Sequence, residues 1–528
     1  MTKFKAVLAA TAVVALAAGC SSAPPEPGTE YAEGGTFTIA LPSDPGSLNP
    51  LNNSSSTSNW LFRFLYDQLV TRGDNGEILS GLATEWEFDG SDAVFTLSEA
   101  ATCFDGSPIT PSVIAKNFDY ILDTDNPTTV IGSVLPNRNF TYDADDAAGT
   151  FSLHLEKPFS LLLSALSFMN IVCGDALDDP TSITDSSSGS GPFVLDSAVP
   201  NSQYVLSKRE GYTWGTDGAT NDALGFPDSV VFRIVDNETT AANLLISGEV
   251  NAAIVNGPDR ARLEAAGVVQ QTHINGGVVM SFSEMEGKVT AERDVRLALA
   301  MAFDRGAVAT TVTQGVLPEA GTSISAAQPQ VCDDSAAAAF IPKYDVEAAK
   351  GILDKAGWTV GSDGVRVKDG VRLSFTLSHS TATSGAAAAV ELIADAWSKI
   401  GAEAIITPLA QADYSQKMFS TGDYDAIFQQ LSNPFPSTLT GLLGGPFPPD
   451  GTNAGHVDNP VYKEKIAQAI ASGENSGCQF WTEASAALFD QVDMIPLANW
   501  PTNWMIQGGE MDALGGRPIA TSVRVLAQ

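Results

Sequence analysis

The stretch FDGSPIT at residues 104–110, followed by a predicted helix through Val113 and Phe118, is the segment that decides the fold. Shorter motifs stand in order on both sides of it. They are LNPL at 48–51, FLYDQLV at 64–70, GLATEW at 81–86, GSGPF at 189–193, SGEVN at 247–251, DVRLA at 294–298, AAK at 348–350, AGW at 356–358 and GDYD at 422–425. Each motif alone is weak, and the information lies in their order and spacing.

Length and charge limit the possible classes of protein. The chain has 528 residues, with 62 acidic and 28 basic side chains and a formal charge of −34. At roughly 150 residues per domain, this length predicts about three domains. No segment concentrates Lys and Arg, which excludes nonspecific binding to nucleic-acid phosphates and charge-driven docking onto anionic lipid. The acidic surplus otherwise indicates a self-repelling, soluble surface.

The first twenty residues indicate export. Lys3 and Lys5 precede an apolar run at 6–18, which is shorter than the about 20 residues that span a bilayer but suits a signal-peptide core. LAAGC at 16–20 resembles a bacterial lipoprotein box, whose cysteine is acylated with chains such as palmitate. An ordinary signal peptide with an incidental cysteine is the alternative.

We therefore predict a signal peptide over residues 1–19, a lipidated Cys20 and a Pro-rich tether over 20–33. The protein would be held to the membrane by its lipid alone, on the outer face of the plasma membrane or in the periplasm.

Four further cysteines remain: Cys103, Cys173, Cys332 and Cys478. An even number in an exported protein suggests two disulfides. Of the three pairings, we favour Cys103–Cys173 with Cys332–Cys478, because each pair stays within one region of the chain. A zinc site is the alternative, although no two of these cysteines are close in sequence. We predict no cofactor.

Local patterns predict an α/β fold. The alternation of Phe37, Ile39 and Leu41 predicts a strand over 36–41. Apolar spacing predicts a helix over 60–69, and a nearly unbroken apolar run predicts a strand over 228–235 that is buried on both faces.

In that order and spacing, the motifs resemble the family 5 solute-binding proteins of ABC importers, the oligopeptide and dipeptide binders. The resemblance implies a periplasmic-binding-protein-like type II clamp with two lobes and an additional domain in the N-terminal half. The expected segments are 34–75, 190–282 and 500–528 for lobe I, 76–189 for the additional domain, and 283–499 for lobe II. Strands near 279–282 and 495–498 are expected to form the hinge.

The same resemblance implies the function. A small peptide or other small solute would bind between the lobes and shift an open–closed equilibrium toward the closed form. ABC permease subunits with their ATPases would then receive it. We expect a monomer without enzymatic activity and without a nucleic-acid partner.

The ligand site is expected where the two lobes face each other. Peptide binders of the family often hold the ligand's α-ammonium with an Asp that follows a Gly-Trp element. The matching stretch, FQQLSNPFP at 428–436, puts Gln430 near the Trp position and Asn433 near the Asp position. A neutral amide lacks the charge that strengthens such a hydrogen bond.

The predicted ligand-binding residues are Asn52, Asn53, Ser54 and Ser55 on lobe I and Gln429, Gln430, Asn433 and Phe435 on lobe II. The alternative makes the first group a solvated turn and the glutamines a feature of the sheet edge.

Other functions remain open at this stage. A neutral site also suits an uncharged oligosaccharide, for which Trp60, Phe435 and Phe447 are candidate stacking surfaces. A metal chelate is disfavoured because the four histidines show no i, i+4 spacing. An enzyme is disfavoured because the chain has no Gly-x-Ser-x-Gly elbow and no His-Glu-x-x-His or phosphate-binding loop. A receptor-like surface lipoprotein is the last alternative.

Overall fold

A computed structural model of the chain describes residues 30–179, 181, 183, 188–432, 435–448, 450–472 and 477–527. The predicted signal peptide, Cys20, most of the tether and Asn433 lie outside the described residues. The names lobe I, additional domain and lobe II are kept for the segments defined above, whose boundaries stay a prediction.

The first segment of lobe I holds one core strand, one helix and the first strand of a short hairpin, whose second strand lies in the segment predicted for the additional domain. These elements are β1 (Thr36–Leu41), α1 (Ser56–Leu65), β2 (Val70–Arg72) and β3 (Ile78–Ser80). The predicted strand over 36–41 is confirmed. The predicted helix over 60–69 is displaced: Ser55 caps it by accepting a hydrogen bond from the Ser58 N–H at 3.2 Å. It ends before Tyr66, whose backbone is extended.

The additional domain carries its own four-stranded antiparallel sheet. Its elements are β4 (Ala83–Phe88), β5 (Asp92–Leu97), α2 (Pro111–Leu122), β6 (Phe140–Asp145), β7 (Thr150–Leu155) and α3 (Leu162–Leu166). The strand order is β4-β5-β7-β6. Helix α2 packs on this sheet through Phe118, whose ring stacks on that of Phe151 with centroids 5.0 Å apart.

The middle of lobe I continues the sheet that β1 begins. Its elements are β8 (Phe193–Val199), β9 (Gln203–Lys208), β10 (Ser229–Ile234), α4 (Glu238–Ser247), β11 (Ala252–Ile254), α5 (Asp259–Ala265) and β12 (Val269–Phe282). Strand β1 pairs in parallel with β10 and β11. The prediction that residues 228–235 are buried on both faces is wrong: only Val230 and Phe232, on one face, are fully buried.

Lobe II combines helices and strands, in agreement with the predicted α/β fold. Its elements are α6 (Arg293–Met301), α7 (Arg305–Val312), α8 (Val346–Lys355), β13 (Thr359–Val360), β14 (Arg366–Lys368), β15 (Val371–Arg372), β16 (Ser374–Ser380), α9 (Ala386–Ser398), β17 (Glu403–Leu409), α10 (Gln411–Gln416), β18 (Ala426–Leu431), α11 (Thr440–Gly444), α12 (Pro460–Ala471) and α13 (Cys478–Gln491).

A single ten-stranded sheet runs through both lobes. The C-terminal elements are β19 (Met494–Ile506), β20 (Gly509–Glu510), β21 (Ala513–Leu514), β22 (Arg517–Pro518) and β23 (Arg524–Val525). The order of the large sheet is β17-β16-β18-β12-β19-β11-β1-β10-β9-β8. The long strands β12 and β19 pair antiparallel at its centre, with Val279 opposite Pro496. The two predicted hinge stretches therefore lie side by side, with lobe II strands on one flank and lobe I strands on the other.

Two disulfides tie the loops, and their pairing is the favoured one. Cys103 is bonded to Cys173 in the additional domain, and Cys332 to Cys478 in lobe II. The zinc alternative is thereby ruled out for these four residues, because a disulfide sulfur is not available as a thiolate ligand. Among the described residues, no helix combines the length and apolar character needed to cross a bilayer.

Candidate functional site

A cavity of about 270 Å³ lies where lobe I meets the two central strands. Helix α1 contributes Ser56 and Trp60, the central strands contribute Asn275 and Thr502, and β18 contributes Gln430. Additional lining comes from Asp236, Glu238, Asn256 and Trp500. The cavity therefore joins both lobes and mixes aromatic faces with hydrogen-bonding groups, as ligand sites in proteins commonly do.

Strand β18 has an open backbone edge beside this cavity. Its partner β12 pairs with it over its whole length, from Ala426 to Leu431. Strand β16, on the other side, reaches only as far as Phe428. Within the described residues, 429–431 therefore have no strand next to them on that side. Such an edge presents N–H and C=O groups that an extended chain can pair with.

The two glutamines of this edge point to opposite faces of the sheet. Gln430 is exposed and lines the cavity. Gln429 is 1 % exposed, and its Oε1 has no hydrogen-bond partner among the described residues. Strand alternation is the reason, because neighbouring side chains on a strand leave opposite faces. Gln430 is thus placed to touch a ligand directly, whereas Gln429 lies in the interior of lobe II.

The predicted lobe I residues form a hydrogen-bonded loop before α1. The Asn53 amide donates to the carbonyl oxygens of Pro45 and Ser47, both at 2.7 Å, and its Oδ1 accepts from the Ser55 N–H at 3.1 Å. Asn52 accepts a hydrogen bond from the Ser47 hydroxyl at 3.3 Å. Ser54 is exposed.

These contacts hold the loop and the start of the helix. Ser55 is the N-cap, so its hydroxyl is already engaged. The neighbouring Ser56, rather than these four residues, belongs to the cavity lining. A ligand contact from residues 52–55 stays a prediction.

Phe435 lies in a contact between lobe II and the additional domain. It is 1 % exposed. Its ring meets that of Phe168 edge to face, with centroids 5.2 Å apart, and the Arg72 guanidinium lies 5.9 Å from its centroid. The structure therefore places Phe435 away from the cavity that Gln430 lines.

A second cavity, of about 390 Å³, lies at the junction of lobe I, the additional domain and a loop of lobe II. Three arginines line it: Arg63 from α1, Arg72 from β2 and Arg517 from β22. Phe168 and Pro329 also line it. Three acidic side chains, those of Asp67, Asp74 and Glu77, line the same cavity, so three cations and three carboxylates meet around it.

Burial and neighbouring charges shift the pKa values of two of these guanidiniums. Burial, and the charges of Arg63 and Arg72, lower the pKa of Arg517 to about 9. Burial lowers the pKa of Arg63 to about 10, against the opposing effect of Asp67. Both values leave the side chains protonated at neutral pH. The arrangement is electrostatically costly because like charges and desolvation both disfavour it.

Sequence reasoning missed these arginines. Arg63 interrupts the apolar positions of α1, where a single basic residue reads as the solvent face of an amphipathic helix. Arg517 is 454 positions away, in a short hairpin after two glycines. A charge in the last turn of a mostly buried helix was the one local signal.

The histidines offer no metal site in the described part of the chain, where no group of three His, Cys, Asp or Glu side chains comes together. His154 lies between Asp92 and Asp143, and their hydrogen bonds raise the pKa of its imidazole. His379 is buried beside the Ser380 carbonyl oxygen, at 3.1 Å. His456 stacks on Phe447.

Comparison with known proteins connects this geometry to a family. Residues 77–447 match the sequence profile of the bacterial extracellular solute-binding proteins, family 5. The periplasmic murein peptide-binding protein MppA of Escherichia coli is 24 % identical over 527 residues, covering 91 % of this chain and 90 % of that protein. The nickel-binding periplasmic protein of the same organism is 23 % identical over 517 residues, covering 91 % and 92 %.

The fold has a close counterpart among crystal structures. The oligopeptide-binding protein AppA of Bacillus subtilis, in complex with a nonapeptide, superimposes with a TM-score of 0.73 at 18 % identity. The match covers 95 % of this chain and all of that one. The two-lobed clamp and the α/β fold expected from the sequence are confirmed.

Proposed function

The chain belongs to the bacterial extracellular solute-binding proteins of family 5, and from that premise we propose that it captures peptides between its lobes for an ABC importer. Members of this family bind a solute outside the cytoplasm and present it to a permease. The murein-peptide and nonapeptide binders among its relatives support a peptide as the solute.

One observation carries this proposal: the open edge of β18 at residues 429–431, next to a cavity shared with lobe I. An extended peptide would pair its backbone with this edge as an added strand. Main-chain hydrogen bonds give affinity that does not depend on the peptide's sequence. Side chains of different sizes would be accommodated in the cavity together with water.

An uncharged oligosaccharide is the second candidate, and the two tryptophans in the cavity favour it. Trp60 and Trp500 line the same space as Asn256, Asn275 and Thr502. Aromatic faces beside amide groups suit a sugar ring, because its C–H face packs on the aromatic and its hydroxyls bond to the amides. A saccharide would leave the β18 edge unused.

Calorimetric titration tests the proposal. The soluble form that begins after Cys20 is titrated with trialanine, with pentaalanine and with maltotriose as the saccharide probe. Small-angle X-ray scattering follows closure in the same samples. We expect a peptide to bind and to reduce the radius of gyration. Binding of maltotriose without binding of either peptide would replace the peptide by the second candidate.

We further propose that Cys20 is lipidated and anchors the protein outside the cytoplasmic membrane. The LAAGC motif at 16–20 and the polar, Pro-rich segment after it support this. Replacing Cys20 by Ser is expected to move the full-length protein from the membrane pellet to the soluble extracytoplasmic fraction. Retention of the variant in the pellet would contradict the anchor. A monomer delivers the solute in this scheme, which light scattering tests.

A further inference from the structure

From the three arginines around the second cavity, we infer that this cavity binds an anionic group, a carboxylate or a phosphate, of the solute that the protein carries. The inference rests on the proposed function for the identity of that molecule as transported solute. The binding of the anion itself rests on the cavity alone. Arg63, Arg72 and Arg517 reach it from three different elements of the fold.

The acids that line the cavity form no close ion pair with two of these cations, although the charge of Asp67 acts on Arg63. In the described part of the chain, neither Arg63 nor Arg517 has a carboxylate oxygen within 4.0 Å. Arg63 donates one hydrogen bond, to the neutral Oε1 of Gln68 at 2.6 Å. Arg517 donates none to a described residue. Half-buried cations without an ion-pair partner are costly, and a bound anion would offset that cost.

The acidic residues that line the cavity accept hydrogen bonds from other groups or face the solvent. Asp67 accepts hydrogen bonds from Ser190 at 2.9 Å, from Tyr212 at 3.0 Å and from Trp214 at 3.1 Å. Glu77 accepts one from the Asn75 backbone N–H at 3.0 Å. Asp74 is exposed to solvent, which screens its charge. Asp67, Asp74 and Glu77 thus line the cavity together with the three arginines. In the described part of the chain, none of these acids lies within ion-pair distance of Arg63 or Arg517.

Aromatic packing orients the guanidinium that faces the cavity. The Arg517 guanidinium lies 4.3 Å from the ring centroid of Phe168. A guanidinium packed on an aromatic face keeps its N–H donors pointing outward at its edge. That fork matches the two oxygens of a carboxylate or phosphate. The packing thus orients the Arg517 guanidinium and leaves its N–H groups available to an oxyanion.

The second cavity adjoins the cavity that Gln430 lines. Trp60 and Arg63, one turn apart on α1, line the two cavities in that order. Trp60 packs on Trp504, with ring centroids 5.3 Å apart. The Trp504 indole N–H donates to the Gly516 carbonyl oxygen at 2.9 Å, immediately before Arg517. The Trp60–Trp504 pair thus connects α1, which lines both cavities, to the hairpin that carries Arg517.

Lobe II also contributes residues to the second cavity. Pro329 lines it, and Phe435 lies beside Arg72. An anion held there would touch elements that move relative to each other when a clamp opens. Because a ligand shifts an equilibrium only through contacts that differ between its two states, the anion would favour the closed form.

Anion titration tests the inference on the whole mature chain. Sodium phosphate and sodium succinate are titrated separately by calorimetry at constant ionic strength in chloride. The comparison is between wild type, R517Q and the matched control R524Q. Arg524 also packs on an aromatic ring, that of Phe226 at 5.8 Å, but it does not line the cavity. Circular dichroism checks folding, and R63Q replaces R517Q if the latter does not fold.

We expect wild type and R524Q to bind at least one of the two probes, and R517Q to bind it at least about tenfold more weakly. Loss of one charge-assisted hydrogen bond is worth about that much. The probe that binds identifies the oxyanion as carboxylate or phosphate. No binding of either probe to wild type, or equal binding by R517Q, would overturn the inference. If the protein binds an anion but no peptide, the proposed peptide function is refuted and the inferred anion site stands.

Discussion

The ring of Phe435 meets the ring of Phe168 edge to face, with centroids 5.2 Å apart. This contact joins the loop after β18 in lobe II to the additional domain. Phe435 is 1 % exposed, so its burial depends on the two units being together. A clamp that opens between its lobes has to break or weaken such a contact.

We expect F435A to weaken peptide binding about tenfold. The substitution removes an aromatic pair worth about 0.5–1.5 kcal/mol and the apolar area buried with it, and it does so mainly in the closed form. Calorimetry measures the Kd, and F447A is the control because Phe447 is 38 % exposed. If F435A lowers the melting temperature of the ligand-free protein and leaves the Kd unchanged, Phe435 stabilises the ligand-free protein and does not favour the closed form.

The Gln430 side chain is expected to contribute to affinity and not to folding. It is exposed in the cavity, so Q430A should leave the melting temperature of the ligand-free protein unchanged. Loss of one side-chain hydrogen bond costs about 1 kcal/mol, which weakens peptide binding about fivefold. Q416A, at an exposed glutamine of the same lobe, is the control. Equal affinity of Q430A and wild type would remove Gln430 from the site.

A buried cluster at the lobe II end of the central strands predicts how stability depends on pH. Arg296 lies 3.4 Å from a carboxylate oxygen of Glu284 and 3.3 Å from one of Asp493. One cation thus faces two carboxylates. Burial and the charge of Asp493 raise the pKa of Glu284 to about 8, and burial raises the pKa of Asp493.

The folded protein therefore holds a proton that the unfolded chain, with an ordinary Glu pKa of 4.5, gives up. Its stabilising effect is complete below pH 4.5 and is lost as the pH rises toward about 8. We expect urea-unfolding free energies to fall between pH 5 and pH 8.5, by at most about 1.4 kcal/mol per pH unit. E284Q should flatten this dependence.

His154 adds a loss of stability of the same sign as the pH rises above 6.5, because hydrogen bonds to Asp92 and Asp143 raise the pKa of its imidazole from its ordinary value of 6.5. H154Q is therefore the control that isolates the buried cluster. If the stability of E284Q falls with pH as steeply as that of H154Q, the proton held at Glu284 is not the cause of the pH dependence.

The frame of the fold could be predicted from the sequence because its signals are local. The alternation of Phe37, Ile39 and Leu41 marks β1 without ambiguity. Asp345, a residue type that favours the N-cap, directly precedes α8 and accepts a hydrogen bond from the Ala348 N–H at 2.9 Å. Both disulfides match the expectation that each pair stays within one region of the chain.

The errors arose where distant residues decide local structure. Apolar spacing runs on from α1 into Leu69, yet the helix ends before Tyr66. Asp67 is instead held by Ser190, Tyr212 and Trp214, which lie more than a hundred positions away. The second cavity was missed for the same reason, because Arg63 and Arg517 come together only in the folded protein. Such contacts leave no periodic pattern in the sequence.

The most direct test of the central claim is native mass spectrometry of the form that begins after Cys20, purified from its host without a refolding step. The bound molecules are released by gentle unfolding and identified. The account predicts peptides that carry a carboxylate or phosphate, present in wild type and depleted in R517Q. A neutral saccharide, or a solute set unchanged in R517Q, would contradict it.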